Sequence, residues 1–175
     1  MKDDCILCQI IDGKIPSEKI YEDGDVLAVL DVNGANPGHT FVIPREHYTI
    51  LEQVPDFLVG KLFSIANKIS SSLFEALEIH GTNLFVTNGV AAGQLASHFM
   101  INVIPRKNND GINITWQPKQ LSEEEMSTAE LQLKEAAKNI GSFETGAGLE
   151  KMPVQESENI SGEDSYLLRQ MRRIP

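Results

Sequence analysis

Cysteine, histidine and basic side chains are all scarce in this chain of 175 residues, which has two cysteines and four histidines. Two thiols cannot form the disulfide framework of a small secreted domain and point instead to metal or redox use in a reducing compartment. Lysine and arginine number 15 against 25 aspartates and glutamates, a net charge of −10. That deficit argues against sequence-independent binding to DNA or RNA, which needs a cationic surplus. A small anionic ligand stays possible, because backbone N–H groups can hold phosphate locally. No run approaches the roughly 18 apolar residues of a membrane span. The first residues, Met1 to Cys5, lack the basic-then-apolar order of a secretory signal, so a cytoplasmic protein is expected. Hydrophobic content of 41% excludes whole-chain disorder. The length suits one domain with a modest appendage.

Cys5 to Gln9 reads as a short helical turn ending before Asp12-Gly13. The apolar runs Val26–Leu30 and Thr40–Ile43 read as strands, separated by the Asn33-Gly34 and Pro37-Gly38 turn signals. From 55 to 78 the period changes. Leu58, Leu62, Ile65, Ile69, Leu73 and Leu77 recur at three- and four-residue spacing, which predicts an amphipathic helix with Gly81 after its end. Segments 83–87 and 99–104 read as two further strands, the second ended by Pro105. Locally paired strands with one long helix between the second and third predict an α+β domain with an antiparallel sheet. We expect that domain over residues 1–118. A helix over 119–140 opens with the capping box Ser122-Glu123-Glu124-Glu125. Residues 141–175 read as an acidic linker and a tail segment expected to dock on the domain or on a second subunit.

Cys5-Ile6-Leu7-Cys8 is a C-x-x-C pair open to several readings. A redox pair should follow a strand and open a helix in a βαβ unit, whereas this one sits at the start of the chain. A four-cysteine zinc site needs a second pair, which is missing. A mixed Cys2His2 site with histidines from far along the chain remains, as does an inert buried pair. His39, His47 and His98 lie at strand edges, where a lone histidine is most often a surface residue. His80 reads as a polar residue at the end of the long helix. The loop Asn88 to Gln94 bears glycines but has neither a Walker lysine nor G-x-G-x-x-G spacing, so an ordinary connection competes with a phosphate cradle.

Taken together these residues resemble the histidine-triad (HIT) family of nucleotide-binding proteins. The resemblance rests on Cys5-Ile-Leu-Cys8, Gly13-Lys-Ile-Pro16-Ser17, Asp31, Asn36-Pro-Gly-His39-Thr, Val42-Ile-Pro44-Arg45 and His47. It continues through Asn88-Gly, Ala92-Gly-Gln94, His98 and Ile104-Pro105-Arg106. It is collinear over about residues 3–116. It implies a HIT-like fold with a five-stranded antiparallel sheet, one long helix and a short N-terminal helix, to which this chain adds a helical C-terminal extension. It also implies a homodimer and a site for a purine nucleotide or nucleoside monophosphate.

The family's motif, three histidines alternating with apolar residues, corresponds here to His98-Phe99-Met100-Ile101-Asn102. In active relatives the middle histidine attacks the α-phosphate. Met100 carries a thioether with no titratable proton and cannot take that role. Asn102 can hydrogen-bond but cannot serve as a general acid. The resemblance therefore implies a nucleotide-binding protein with a disabled hydrolytic triad. Two alternatives stand beside it. One is a live hydrolase or nucleotidyl transferase acting on nucleoside phosphoramidates or dinucleoside polyphosphates, with His39 as its base. The other is a partner-binding or nucleotide-sensing protein. In zinc-bearing members the ligands fall at Cys5, Cys8, His47 and His98, all present, so the resemblance implies structural Zn2+. It implies nucleotide contacts at Asp31 for the ribose, at His39, Met100 and Asn102, and at Asn88, Gly93 and Gln94 around the α-phosphate. Leu95 stands where relatives often carry a small polar residue.

Overall fold

The alternation of the apolar runs builds a sheet with two working faces. In the computed structural model, which describes residues 4–139, the strands are β1 (Lys19–Glu22), β2 (Val26–Leu30), β3 (Thr40–Pro44), β4 (Gly81–Phe85) and β5 (Ile101–Arg106). They form one antiparallel sheet in the order β1-β2-β3-β5-β4. The helices are α1 (Ile6–Ile11), α2 (Asp56–Leu77) and α3 (Glu123–Ala136). The chain divides into a unit over Met1–Thr145 and one over Gly146–Pro175, and the second lies wholly outside the described residues, as do the expected linker and tail. Among the described residues no helix is long and apolar enough to cross a membrane.

Because side chains alternate across a strand, Val26, Ala28, Val42, Ile101 and Val103 share one face, and α2 covers it with Leu58, Leu62, Ile65, Ala66, Ile69 and Leu73. Each such leucine or isoleucine is worth roughly 1.5–3 kcal/mol of burial, enough to hold a helix that its Pro55 N-cap does not bond through a side chain. The opposite face carries Leu27, Val29 and Ile43, covered by Leu7 and Ile11 of α1 together with both cysteines. The rest of that face, toward β5 and β4, carries Phe41, Asn102 and Phe85, which are in register with one another. Here the site is built.

Four expectations shift. The strand over 83–87 begins at Gly81 and ends at Phe85. Its partner is Ile101–Arg106, not 99–104. Phe99 is held outside the ladder, its N–H donating to the Tyr48 carbonyl at 2.6 Å. So of positions 98, 100 and 102, only Asn102 lies on the strand. Pro105 does not end it. The Arg106 carbonyl accepts from the His80 N–H on the β4 side, so Pro105's missing donor faces the other edge, where pairing with β3 has stopped at Thr40 and Val103. His80 consequently belongs to the approach to β4. The long helix ends where its period predicts, with Gly81 beyond it, and its cap is Glu78, whose φ of 50° turns the chain so that Ile79 is buried. β1 had no apolar signal, being an edge strand with all four residues exposed.

Two glycines are required by close approach. A Cβ on Gly34 would lie 2.8 Å from the His39 Cβ. Gly38, at φ +92°, would put one 2.5 Å from Leu77. The open ends of β4 and β5 are tied by Arg106, which donates to both carboxylate oxygens of Asp110, to the Asn83 side chain and to the Ile112 carbonyl. The Arg106 guanidinium holds the Asp110 carboxyl well below its ordinary value of 3.8. A depressed folded value stabilises the fold above the unfolded value and loses that contribution as pH falls through the folded one. Asp110→Asn should therefore lower the melting temperature at pH 7. In melts taken at decreasing pH, the gap from the unsubstituted protein should narrow progressively below about pH 4.

Candidate functional site

Four side chains from three parts of the chain converge beneath α1. Cys5 and Cys8, at the N-cap and in the first turn of α1, meet His47, just past β3, and His98, ahead of β5. Their ligand atoms all lie within 4.8 Å of one another and could hold a metal ion. The Cys8 Sγ is 3.2 Å from His47 Nδ1 and 3.5 Å from His98 Nδ1, and the Cys5 Sγ is 3.6 Å from His98 Nδ1. His98 is fully buried, and its Nε2 lies 3.0 Å from the Pro44 carbonyl. A carbonyl only accepts, so Nε2 carries the proton and the Nδ1 lone pair is turned to the thiols. The two imidazoles stand edge to face, 5.1 Å apart.

A second chain of contacts runs through His39, also buried. Its Nδ1 accepts from the Ala35 N–H at 3.1 Å, so its Nε2 carries the proton, which it donates to Asn102 Oδ1 at 3.2 Å. Asn102 Nδ2 donates in turn to the Phe85 carbonyl. Asp31 Oδ2 lies 3.5 Å from His39 Nδ1, and Asp31 Oδ1 accepts from the Asn33 N–H. Thus Asp31, His39 and Asn102, three of the residues expected at a nucleotide, are brought together. Met100, like Ile10, Phe41 and Ala96, packs against the cluster that contains the cysteines.

The loop from 88 to 97 is laced to the segment 48–53. Asn88 Oδ1 accepts from the Leu51 N–H, and its Nδ2 lies 2.8 Å from both carboxylate oxygens of Glu52. Gln94 donates to the carbonyls of Thr49 and Ala96 and accepts from the Gly89 N–H. Gly93, at φ +84°, caps a single 3₁₀ turn over Val90–Ala92. No sequence signal marks Glu52, an exposed acid on a short turn. Its carboxyl is held below its usual value by the Asn88 amide and is ionised near neutrality.

A sheet in this order, with two thiols and two imidazoles meeting under the first helix, is the architecture of a known family. The HIT domain model matches residues 12–109, and the chain belongs to that family. Adenylylsulfatase HINT3 of Arabidopsis thaliana is 41% identical over 110 residues, 63% of this chain and 56% of the relative, so the chain spans little more than half of that protein. Adenosine 5'-monophosphoramidase hnt1 of Schizosaccharomyces pombe is 30% identical over 70% of this chain and 90% of its own. A HIT family protein from Bacillus subtilis superposes with a TM-score of 0.71 at 34% identity, covering 75% of this chain and 96% of its own. A zinc-bound histidine triad protein from Mycobacterium smegmatis does so with a TM-score of 0.62 at 31% identity, covering 78% and 99%.

The three Gln94 hydrogen bonds make it a staple of the loop. Gln94→Ala should destabilise the protein by about 1–3 kcal/mol, lowering the melting temperature by roughly 3–10 °C. Amide hydrogen exchange should quicken over 88–99. A side chain kept only to touch a ligand would leave both unchanged.

Proposed function

We propose that this chain is a purine nucleotide-binding member of the HIT family, braced by a structural zinc ion and without the family's hydrolytic chemistry. The observation that carries it is the division of labour at positions 98, 100 and 102. His98 is committed to the thiol cluster, Met100 to apolar packing, and Asn102 to a hydrogen bond with His39. None of these three positions offers an imidazole to attack phosphorus. His39 is a poor substitute base, since its one lone pair already accepts from Ala35 and its proton is held by Asn102. Absence of a nucleophile costs roughly 10⁴- to 10⁶-fold in rate.

The donor set fits zinc. With Zn–S near 2.3 Å and Zn–N near 2.05 Å, a tetrahedral ion spaces sulfur and nitrogen about 3.6 Å apart. The sulfur–nitrogen separations of 3.2–3.6 Å match that edge. Zinc bound there supplies a cross-link between α1, the end of β3 and the approach to β5. The homodimer reading is supported by β4, an edge strand with Leu84 and Phe85 exposed.

The relatives named for adenylylsulfatase and monophosphoramidase activity favour the competing reading of a live enzyme. Incubation with AMP-phosphoramidate should give no release of AMP above background, and the double variant Met100→His, Asn102→His should raise it measurably. Wild-type turnover that His39→Ala abolishes overturns the reading. Elemental analysis should find one zinc per chain. Cys8→Ser should lose it and melt about 10 °C lower or more. A metal-free native protein with a melting point indifferent to that change would refute the brace.

A further inference from the structure

Many of the hydrogen-bond donors at the purine site are turned inward. A phosphate needs N–H groups or cations aimed at it, and the loop from 88 to 94 is where a HIT-type site would offer them. Here the N–H groups of Gly89, Ala92, Gly93 and Gln94 all bond within the loop, to the Gln94 side chain, the Gly89 carbonyl and the Val90 carbonyl. The Gln94 amide is consumed by Thr49 and Ala96. The Asn88 amide faces both oxygens of the Glu52 carboxylate. His39 donates to Asn102, and Asn102 to Phe85.

Charge points the same way. Glu52 is ionised beside Asn88, Asp31 stands beside His39, and among the described residues no lysine or arginine pairs with either carboxylate. Lys14, Lys19, Arg45, Lys61 and Arg106 are instead engaged with Asp12, Glu22, Asp23, Asp25 and Asp110. A phosphate approaching Asn88 would displace or oppose the Glu52 carboxylate, with no cation among these to compensate it.

The site keeps what an uncharged ligand uses. Asp31 Oδ2 faces a His39 nitrogen that has no proton to give it, so that oxygen can accept a hydroxyl, although the side chain is mostly covered, with 17% exposed. Phe41 and Phe85 supply apolar surface on the same sheet face, and Leu95, 96% exposed, stands in the loop where a small polar residue would assist a phosphate.

We propose that this site takes an uncharged purine ribonucleoside in preference to its phosphate ester, with Asp31 accepting the ribose hydroxyls and Glu52 excluding phosphate. The proposal rests on the purine-site reading above and names which part of a nucleotide is recognised. Glu52 is thereby a specificity-determining residue.

Titration calorimetry of the full chain with adenosine and with AMP, at low salt and at 0.5 M salt, tests it. Adenosine should bind at least tenfold more tightly than AMP at low salt. High salt should narrow the gap by screening the repulsion. Glu52→Gln, which keeps an acceptor for Asn88, should strengthen AMP binding several-fold and leave adenosine within twofold. AMP binding as tight as adenosine, or indifferent to Glu52→Gln, overturns the proposal while leaving the purine-site reading intact. Binding of neither overturns both.

Discussion

Burial of His98 between two thiols and a carbonyl is the constraint on which the rest of the molecule is arranged. The ring joins residues 54 to 93 positions away in the chain, because Cys5 and Cys8 arrive with α1 and Pro44 ends β3. α1 has only six residues and no side-chain cap bond, too short to persist alone in water. Leu7 and Ile11 give it hydrophobic anchorage on Leu27, Val29 and Ile43, and the thiols give it direction. The consequence of using His98 in this way is that position 98 is no longer available to a substrate.

From that brace the neighbouring segments inherit their order. His47 binds the chain leaving β3 to the cluster, and the next residues, 48–53, carry the partners of Phe99, Gln94 and Asn88. One buried cluster thus positions both walls of the loop that would enclose a ligand. In a HIT family active centre, polar side chains must be left partly free for the reacting group. Here the side-chain amides of Asn88, Gln94 and Asn102 and the His39 imidazole are satisfied from within, which favours rigidity. Met100 adds apolar packing against the cluster that contains the cysteines.

Much of the scaffold is legible in the sequence. The three- and four-residue spacing of leucines and isoleucines locates α2 to within a residue at each end, since its one apolar stripe fits one face of the sheet. The Ser122 capping box forms as its spacing requires. β2 and β3 are visible as apolar runs bounded by turns. The ends of β4 and β5 are not, because register between strands and the diversion of Phe99 to Tyr48 depend on partners far along the chain. β1 leaves no trace, as an exposed edge strand buries nothing that a pattern could reveal.

The metal-competent residues can be named from the sequence through a family resemblance, because thiols and imidazoles are rare in this chain and stand at collinear positions. The character of Met100 is likewise a matter of residue type: a thioether has no proton or basic nitrogen wherever it lies. Hydrogen-bond partnership cannot be read that way. Asn88, Gln94 and His39 carry the right groups for a phosphate. Only folding decided that Glu52, Thr49 and Asn102 would claim them first, because a donor's partner is set by what packs within about 3 Å of it and not by what precedes it in the chain.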